Sequence, residues 1–249
     1  MKEALYGTNP VRECLRAGRR TCRRLFLAER SRPHQLIEEI TALAQQHGCP
    51  VETRPRGDLG RLARSREHQG VVLEASPYPY VGLGEVVEDA REAGPAALLL
   101  LLDRLQDPQN VGTLLRTAEA VGVQGVLLPE REATEITPAV VKASAGATEH
   151  LAIVRVRNLA QTVRRLKEAN LWVFGLEGAP GAVLHSAVDW DRPVAVVVGS
   201  EGFGLRRLVR ERCDGLVRIP MRGRIESLNA AVAGSIVLYE IWRRRGQGG

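Results

Sequence analysis

The 249-residue sequence predicts an α/β protein: a small N-terminal α/β unit followed by a larger domain built on a parallel sheet. Three observations carry this. From Gly94 onward, apolar runs of strand length alternate with helical patterns, as in a parallel sheet covered by helices on both faces. Before that point, Ser76-Pro77-Tyr78-Pro79-Tyr80-Val81-Gly82 can extend neither a helix nor a central strand, so a boundary belongs there. Charge divides at the same place: residues 1–80 hold 14 Lys/Arg against 9 Asp/Glu, and the other 169 residues hold 21 against 20. The expected division is 1–76, a linker at 77–94, and 95–249.

In the first part, Asn9-Pro10 opens a helix through Ala17, with Asn9 as cap and Pro10 at the first helical position. Residues 24–28 form a short strand, and 33–47 have helical periodicity ended by Gly48. Residues 51–53 and 71–75 are further strands, and 85–92 is a helical linker. In the second part, 96–102 is a buried strand, and 111–121 is a helix capped by Asn110 and stopped by Gly122. Residues 125–128 form a strand, and Thr137-Pro138 opens a helix. Strands follow at 151–156, 171–177 and 194–199, with a helix at 159–168 between the first two. A short extended piece at 217–219 precedes a long apolar-faced helix at 227–243, capped by Ser227. In such sheets ligands bind beyond the C-terminal strand ends, so chemistry belongs in those loops.

Composition narrows the class. A hydrophobic share of 44% and a charged share of 26% are ordinary for a globular protein. No apolar run approaches the roughly 20 residues of a membrane helix, and the opening Met-Lys-Glu-Ala-Leu-Tyr-Gly lacks a signal-peptide core. The expectation is a cytoplasmic protein without membrane contact. Cys14, Cys22, Cys49 and Cys213 show no CxxC spacing and the five histidines form no ligand pattern, so no metal site is expected. The basic excess clusters at Arg19, Arg20, Arg23 and Arg24 and again at Arg54, Arg56, Arg61, Arg64 and Arg66. Clusters of this kind attract phosphate backbones, the alternative being a solvated surface. With only ten aromatic residues in the chain, recognition of a phosphate backbone fits better than stacking along a single strand.

Three strand-end loops stand out: residues 102–112 running into a helix with Arg116, residues 199–205, and residues 219–229. They contain no GxGxxG after a strand, no GxxxxGK[ST] and no GxSxG, which argues against dinucleotide, P-loop and serine-hydrolase chemistry. Turns and caps alone account for single residues, with Asn110 and Ser227 capping and Gly199 and Gly202 turning. They do not account for Asn, Arg, Glu, Ser and Asn gathering at the strand ends of one sheet.

These loops resemble the three motifs of the SpoU ribose methyltransferases in the SPOUT superfamily. "DPQNVGTLLRTAEAVG" resembles the first, "VVVGSEGFGL" the second and "IPMRGRIESLNAAVAGSIVLYE" the third. "VVKASAGATEHL" and the N-terminal "LYGTNPVRECL" and "HQGVVL" are similar to the RlmB-type branch, which methylates a guanosine in 23S rRNA. The resemblance implies an N-terminal RNA-binding domain like a ribosomal protein and a catalytic domain with a trefoil knot. It implies S-adenosylmethionine as methyl donor, a hairpin of 23S rRNA as substrate and a homodimer. It places Asn110 and Arg116 at the catalytic positions of the first motif, Glu201 in the second, and Ser227 and Asn229 in the third. Gly199, Ile219 and Leu228 fit the cofactor contacts, largely through backbone groups. The loop 222–226 is more charged than the family pattern.

A methyl sulfonium is already electrophilic, so the protein must position a nucleophile and assist loss of its proton. The family proposal makes Arg116 the base. Neutralising any guanidinium at pH 7 costs roughly 7 kcal/mol or more, at about 1.4 kcal/mol per pKa unit. The competing role is a cation that clamps phosphate and stabilises developing alkoxide charge. Two further readings stay open: the same reaction on tRNA or another rRNA site, and a non-catalytic RNA-binding or ribosome-assembly factor. The apolar face of the last helix, with Ala231, Ile236, Leu238, Tyr239 and Trp242, is expected to form the dimer contact, the alternative being that it packs on the sheet.

Overall fold

Two sheets organise the chain in a computed structural model that describes residues 2–29, 35–224 and 227–246. The first has four strands, β1 (Glu3–Tyr6), β2 (Cys22–Ala28), β3 (Val51–Arg54) and β4 (Val71–Ala75), in the order β1-β4-β2-β3. β4 is antiparallel to both β1 and β2, and β2 is parallel to β3. Helices α1 (Thr8–Ala17), α2 (Gln35–Gln46) and α3 (Arg56–Ala63) complete this unit. β1 and α3 are absent from the sequence expectation. β1 has no β-branched residue, and α3 carries two glycines, yet α3 forms because Leu59 and Ala63, one turn apart, both bury.

Two compact units result, Met1–Pro79 with Glu135–His150, and Tyr80–Thr134 with Leu151–Gly249. Residues 135–150 fall in the second domain of the sequence expectation but belong structurally to the first unit. They hold helix α6 (Pro138–Ala143) and a 3-10 turn at Ala147–His150. Glu149, fully buried, receives both arms of the Arg20 guanidinium at 2.9 and 2.8 Å, and Arg20 also meets Glu3 at 2.7 Å. The Tyr78 hydroxyl donates to the Thr148 carbonyl at 3.0 Å, and burial pushes its phenol up to about 12.

The second unit begins at helix α4 (Leu83–Ala93) and carries seven parallel strands. These are β5 (Leu98–Asp103), β6 (Gly125–Pro129), β7 (Ile153–Val156), β8 (Trp172–Leu176), β9 (Val183–Leu184), β10 (Val194–Gly199) and β11 (Gly215–Arg218). Their order is β7-β6-β5-β10-β8-β11-β9. β5 and β10 are buried at all six positions, which is why both read as near-continuous apolar runs, Leu-rich in β5 and Val-rich in β10. One sheet face packs α4, α7 (Leu159–Glu168) and α8 (Arg207–Arg212) over Leu99, Leu101, Ala195 and Val197. The other receives α5 (Pro108–Ala120) and α9 (Ala230–Gly246). At Gly234 of α9, a Cβ would sit 2.8 Å from Leu114 of α5 and 3.2 Å from Val198 of β10, so the close approach requires glycine.

The helix starts differ from the sequence expectation. α1 begins at Thr8 after Gly7, not after Asn9, because the Thr8 amide donates to Gln69 Oε1 at 3.1 Å. α5 begins after Asp107, whose carboxylate accepts the Asn110 amide at 2.9 Å. Pro108 then takes the first helical position, and Asn110 is not the cap. α9 is capped by Asn229 rather than Ser227, since Asn229 Oδ1 accepts the amides of Ala231 and Val232 at 2.9 and 3.2 Å. Pro33 and His34 of the expected second helix, and Ile225 and Glu226 of the charged loop, lie outside the described residues. Among the described residues no helix is long and apolar enough to cross a membrane.

Candidate active site

Register brings the first two loops together. Gly199 at the end of β10 pairs with Asp103 at the end of β5, so the chain leaving each strand starts beside the other. The order runs from β5 through β6 and β7 to one side and through β10 and β8 to the other, and a crevice at such a reversal is the expected ligand site.

Asp103 is fully buried and accepts the Arg206 amide at 2.8 Å and its Nε at 2.6 Å. This pair anchors the far end of the 199–206 loop. A carboxylate closing a strand of five leucines is the signal that sequence reading passed over. Glu177 adds a second anchor, accepting the Leu205 amide at 3.4 Å and Arg210 at 3.0 Å. Within the loop, Ser200 and Gly204 exchange backbone hydrogen bonds at 3.2 and 3.0 Å. A Cβ on Gly199 would run into the Gly204 carbonyl, so the strand has to end in glycine for this turn to fold back.

Asn110, Glu201 and Asn229 meet in one hydrogen-bond cluster. Because Asn229 Oδ1 is occupied by the α9 amides, its Nδ2 must face acceptors. It donates to Asn110 Oδ1 at 2.8 Å and to Glu201 Oε1. Asn110 Nδ2 is thereby turned to Glu201 Oε1, at 3.0 Å. Each amide orientation follows from the cap, and Glu201 Oε2 keeps no hydrogen-bond partner among the described residues. A cluster ordered before substrate arrives suits catalysis, since no reorganisation is needed during reaction.

The other two expected catalytic residues stand apart. Ser227 is exposed on the cavity wall with no hydrogen bond among the described residues. Arg116 is exposed on α5, six residues beyond Asn110 and so about 9 Å further along the helix axis. Its guanidinium makes no hydrogen bond to the cluster and has no ion-pair partner among the described residues.

Beside the cluster lies a cavity of about 610 Å³, within the ligand-sized range of roughly 300–1,000 Å³. The expected cofactor residues Gly199, Ile219 and Leu228 all line it. Val198, Met221 and Leu228 offer apolar contact for an adenine face, and Gly178 and Gly199 leave backbone groups accessible. The carboxylates of Glu177 and Glu201 complement a cationic sulfonium or ammonium. This lining fits S-adenosylmethionine.

In the first unit, ion pairing sorts the basic clusters. Arg20 is buried, and Arg19 donates to the carbonyls of Glu149 and Pro79 at 3.2 and 3.3 Å. Arg24 and Arg54 both pair with Glu52, at 2.7 and 2.8 Å, and Arg61 pairs with Asp58. Arg23, Arg56, Arg64 and Arg66 are exposed and have no carboxylate partner among the described residues. Arg64 also holds a left-handed backbone, φ 51°, where α3 ends.

Residues 97–239 match the SpoU rRNA Methylase family, and residues 4–81 match the family described as RNA 2'-O ribose methyltransferase substrate binding. A Bacillus subtilis protein assigned to the TrmH family of tRNA/rRNA methyltransferases is 39% identical over 97% of this chain and 95% of its own. Among solved structures, the AdoMet-bound rRNA methyltransferase of Sinorhizobium meliloti has a TM-score of 0.78 at 26% identity, covering 98% of this chain and 87% of that one. The SpoU methyltransferase AviRb of Streptomyces viridochromogenes shares the fold, with a TM-score of 0.82 at 24% identity over 99% of this chain and 92% of its own. With residues 97–239 matched by the family model and a 39% identical relative aligned almost end to end, the chain belongs to the SpoU rRNA methylase family.

Proposed function

We propose that this protein transfers a methyl group from S-adenosylmethionine to a ribose 2′-hydroxyl of RNA, at a guanosine in a folded hairpin of 23S rRNA, and works in the cytoplasm as a homodimer. The observation that carries the reaction is the Asn110–Glu201–Asn229 cluster on the wall of the 610 Å³ cavity. S-adenosylmethionine, when bound, supplies the activated methyl group. The protein's own residues orient the acceptor: Glu201 Oε2 accepts the hydrogen bond of the 2′-hydroxyl, and the two asparagines hold that carboxylate in place. Arg116, apart from the cluster and without an ion-pair partner among the described residues, fits the phosphate clamp better than the base. The trefoil knot belongs to this reading, supported by α9 returning from beyond β11 to pack on α5 and β10. Mapping 2′-O-methyl groups in rRNA of a deletion strain tests the substrate, and a complete 23S pattern overturns it. The tRNA reading is favoured by the naming of the relatives for tRNA as well as rRNA. Calorimetry with S-adenosylmethionine tests the enzymatic reading, and failure to bind would leave an RNA-binding factor.

The first unit anchors RNA through Arg56, Arg64 and Arg66. Replacing all three by alanine in the full chain is expected to weaken RNA binding and flatten its salt dependence, the log–log slope falling by about 2–3, since each phosphate contact contributes roughly 0.7–0.9. An unchanged slope would make these arginines an ordinary solvated surface. Deleting the first 93 residues is the poorer test, because it strips Arg20 from the buried Glu149.

The dimer would form through α9. Of its expected apolar face, Ala231 and Leu238 are buried, while Ile236, Tyr239 and Trp242 are exposed together with Val232, at 37–54%. Their spacing of three and four residues makes one stripe. Light scattering should give twice the 27.3 kDa chain mass, and Trp242→Glu should halve it without unfolding the protein. A wild-type monomer at micromolar concentration defeats this expectation.

A further inference from the structure

A second cavity, of about 340 Å³, is lined by Arg104, Leu105, Gln106, Asp107, Asn110, Ser200, Glu201 and Phe203. It shares Ser200 and Glu201 with the 610 Å³ cavity, so the two adjoin where the Asn110–Glu201–Asn229 cluster sits. A group transfer between two bound molecules needs two such adjoining subsites, with the reacting groups at the shared wall. The larger cavity suits the methyl donor, which leaves the smaller one for the acceptor.

Its lining has the chemistry of a nucleobase site. Phe203 is 87% exposed, although its loop is hydrogen-bonded at both ends. The turn that carries it is closed by the Ser200–Gly204 hydrogen bonds, with Gly202 and Gly204 taking its left-handed positions (φ 79° and 62°), and is tied down beyond by Arg206 on the buried Asp103. An aromatic ring presented to solvent on a rigid turn offers a stacking face at little cost in side-chain freedom. Opposite polar character comes from Gln106, whose amide has no hydrogen-bond partner among the described residues and can read a base edge. Arg104, paired with Glu132 at 2.9 Å, brings a cation to the same rim.

We infer that the 340 Å³ cavity receives the base of the target nucleotide, unstacked from the RNA and laid on the Phe203 ring, so that its ribose reaches Asn110 and Glu201. The inference rests on the RNA-methyltransferase reading above. Unstacking the base frees its ribose to turn toward the Asn110–Glu201 wall, and aromatic side chains are the usual receivers of splayed-out bases.

The test uses the full-length protein and unmodified 23S rRNA. Stacking on an aromatic is worth a loss of roughly 5- to 150-fold on alanine substitution. Phe203→Ala should therefore lower kcat/KM for RNA within that range, while calorimetric S-adenosylmethionine binding stays as in the wild type. Phe203→Trp should keep activity within a few-fold, and RNA should quench its additional indole fluorescence. Wild-type kcat/KM in Phe203→Ala, or an indole unaffected by RNA, overturns the inference. So does loss of S-adenosylmethionine binding in Phe203→Ala, which would place the ring in the donor site. If the wild type methylates tRNA but not 23S rRNA, the substrate reading alone fails, and the same comparison run on tRNA decides the subsite.

Discussion

Arg116→Ala is expected to lower methyl transfer by roughly 10- to 10²-fold, the range for losing one charge-assisted contact that positions the RNA, with fold and S-adenosylmethionine binding retained. Retention follows from its place: an exposed side chain without ion-pair or hydrogen-bond partner among the described residues, on a helix that alanine favours. Arg116 lines neither cavity and does not touch Asn110, Glu201 or Asn229. The role we propose for it is therefore on a part of the RNA removed from the reacting hydroxyl, and phosphate is the group that a guanidinium recognises best. Arg116→Lys separates the two modes. A point charge would be replaced with a loss of about 10-fold or less, whereas planar two-pronged recognition would not be replaced at all. The check is single-turnover methyl transfer with each variant. Wild-type turnover by Arg116→Ala would remove arginine from the mechanism.

Arg20→Ala should destabilise the first unit by about 3–5 kcal/mol, the usual result of removing one partner of a buried ion pair. The guanidinium side chain is fully buried, with Glu149 bonded at two atoms and Glu3 at a third. Its loss leaves the Glu149 carboxylate buried without its counter-charge. For a unit of this size, a thermal transition lowered by roughly 15 °C or more is expected in calorimetry. Below that transition, RNA affinity should stay close to wild type, unlike the outcome for Arg56, Arg64 and Arg66. The double variant Arg20→Met/Glu149→Leu should recover much of the stability, because neither charge is then stranded. A stable Arg20→Ala protein with weakened RNA binding would return Arg20 to the phosphate-contacting set.

Arg20 shows what pattern reading cannot see. In sequence it is one of four arginines in six residues and reads as part of a phosphate-binding run. Its carboxylate partner lies 129 residues away on a segment that sequence reading assigned to the other domain. Helix and strand periodicity report which face of an element is apolar. They carry no information about which distant charge a buried polar group will meet.

The parallel sheet, the strand-end loops and the site residue types were legible because burial on both faces leaves continuous apolar runs, and because motif residues hold their spacing along one chain. β5 and β10 read as strands from Leu and Val alone, and Asn110, Glu201 and Asn229 were named from their motifs. Tertiary structure decided the rest. Gly199 opposite Asp103 sets two loops side by side, and the cap at Asn229 turns the amide chain that ends on Glu201. It also left Arg116 outside that cluster and divided the described arginines of the first unit into those with a carboxylate partner among the described residues and those without. Each outcome depends on contacts between residues far apart in sequence, whose energies exist only once the chain has folded.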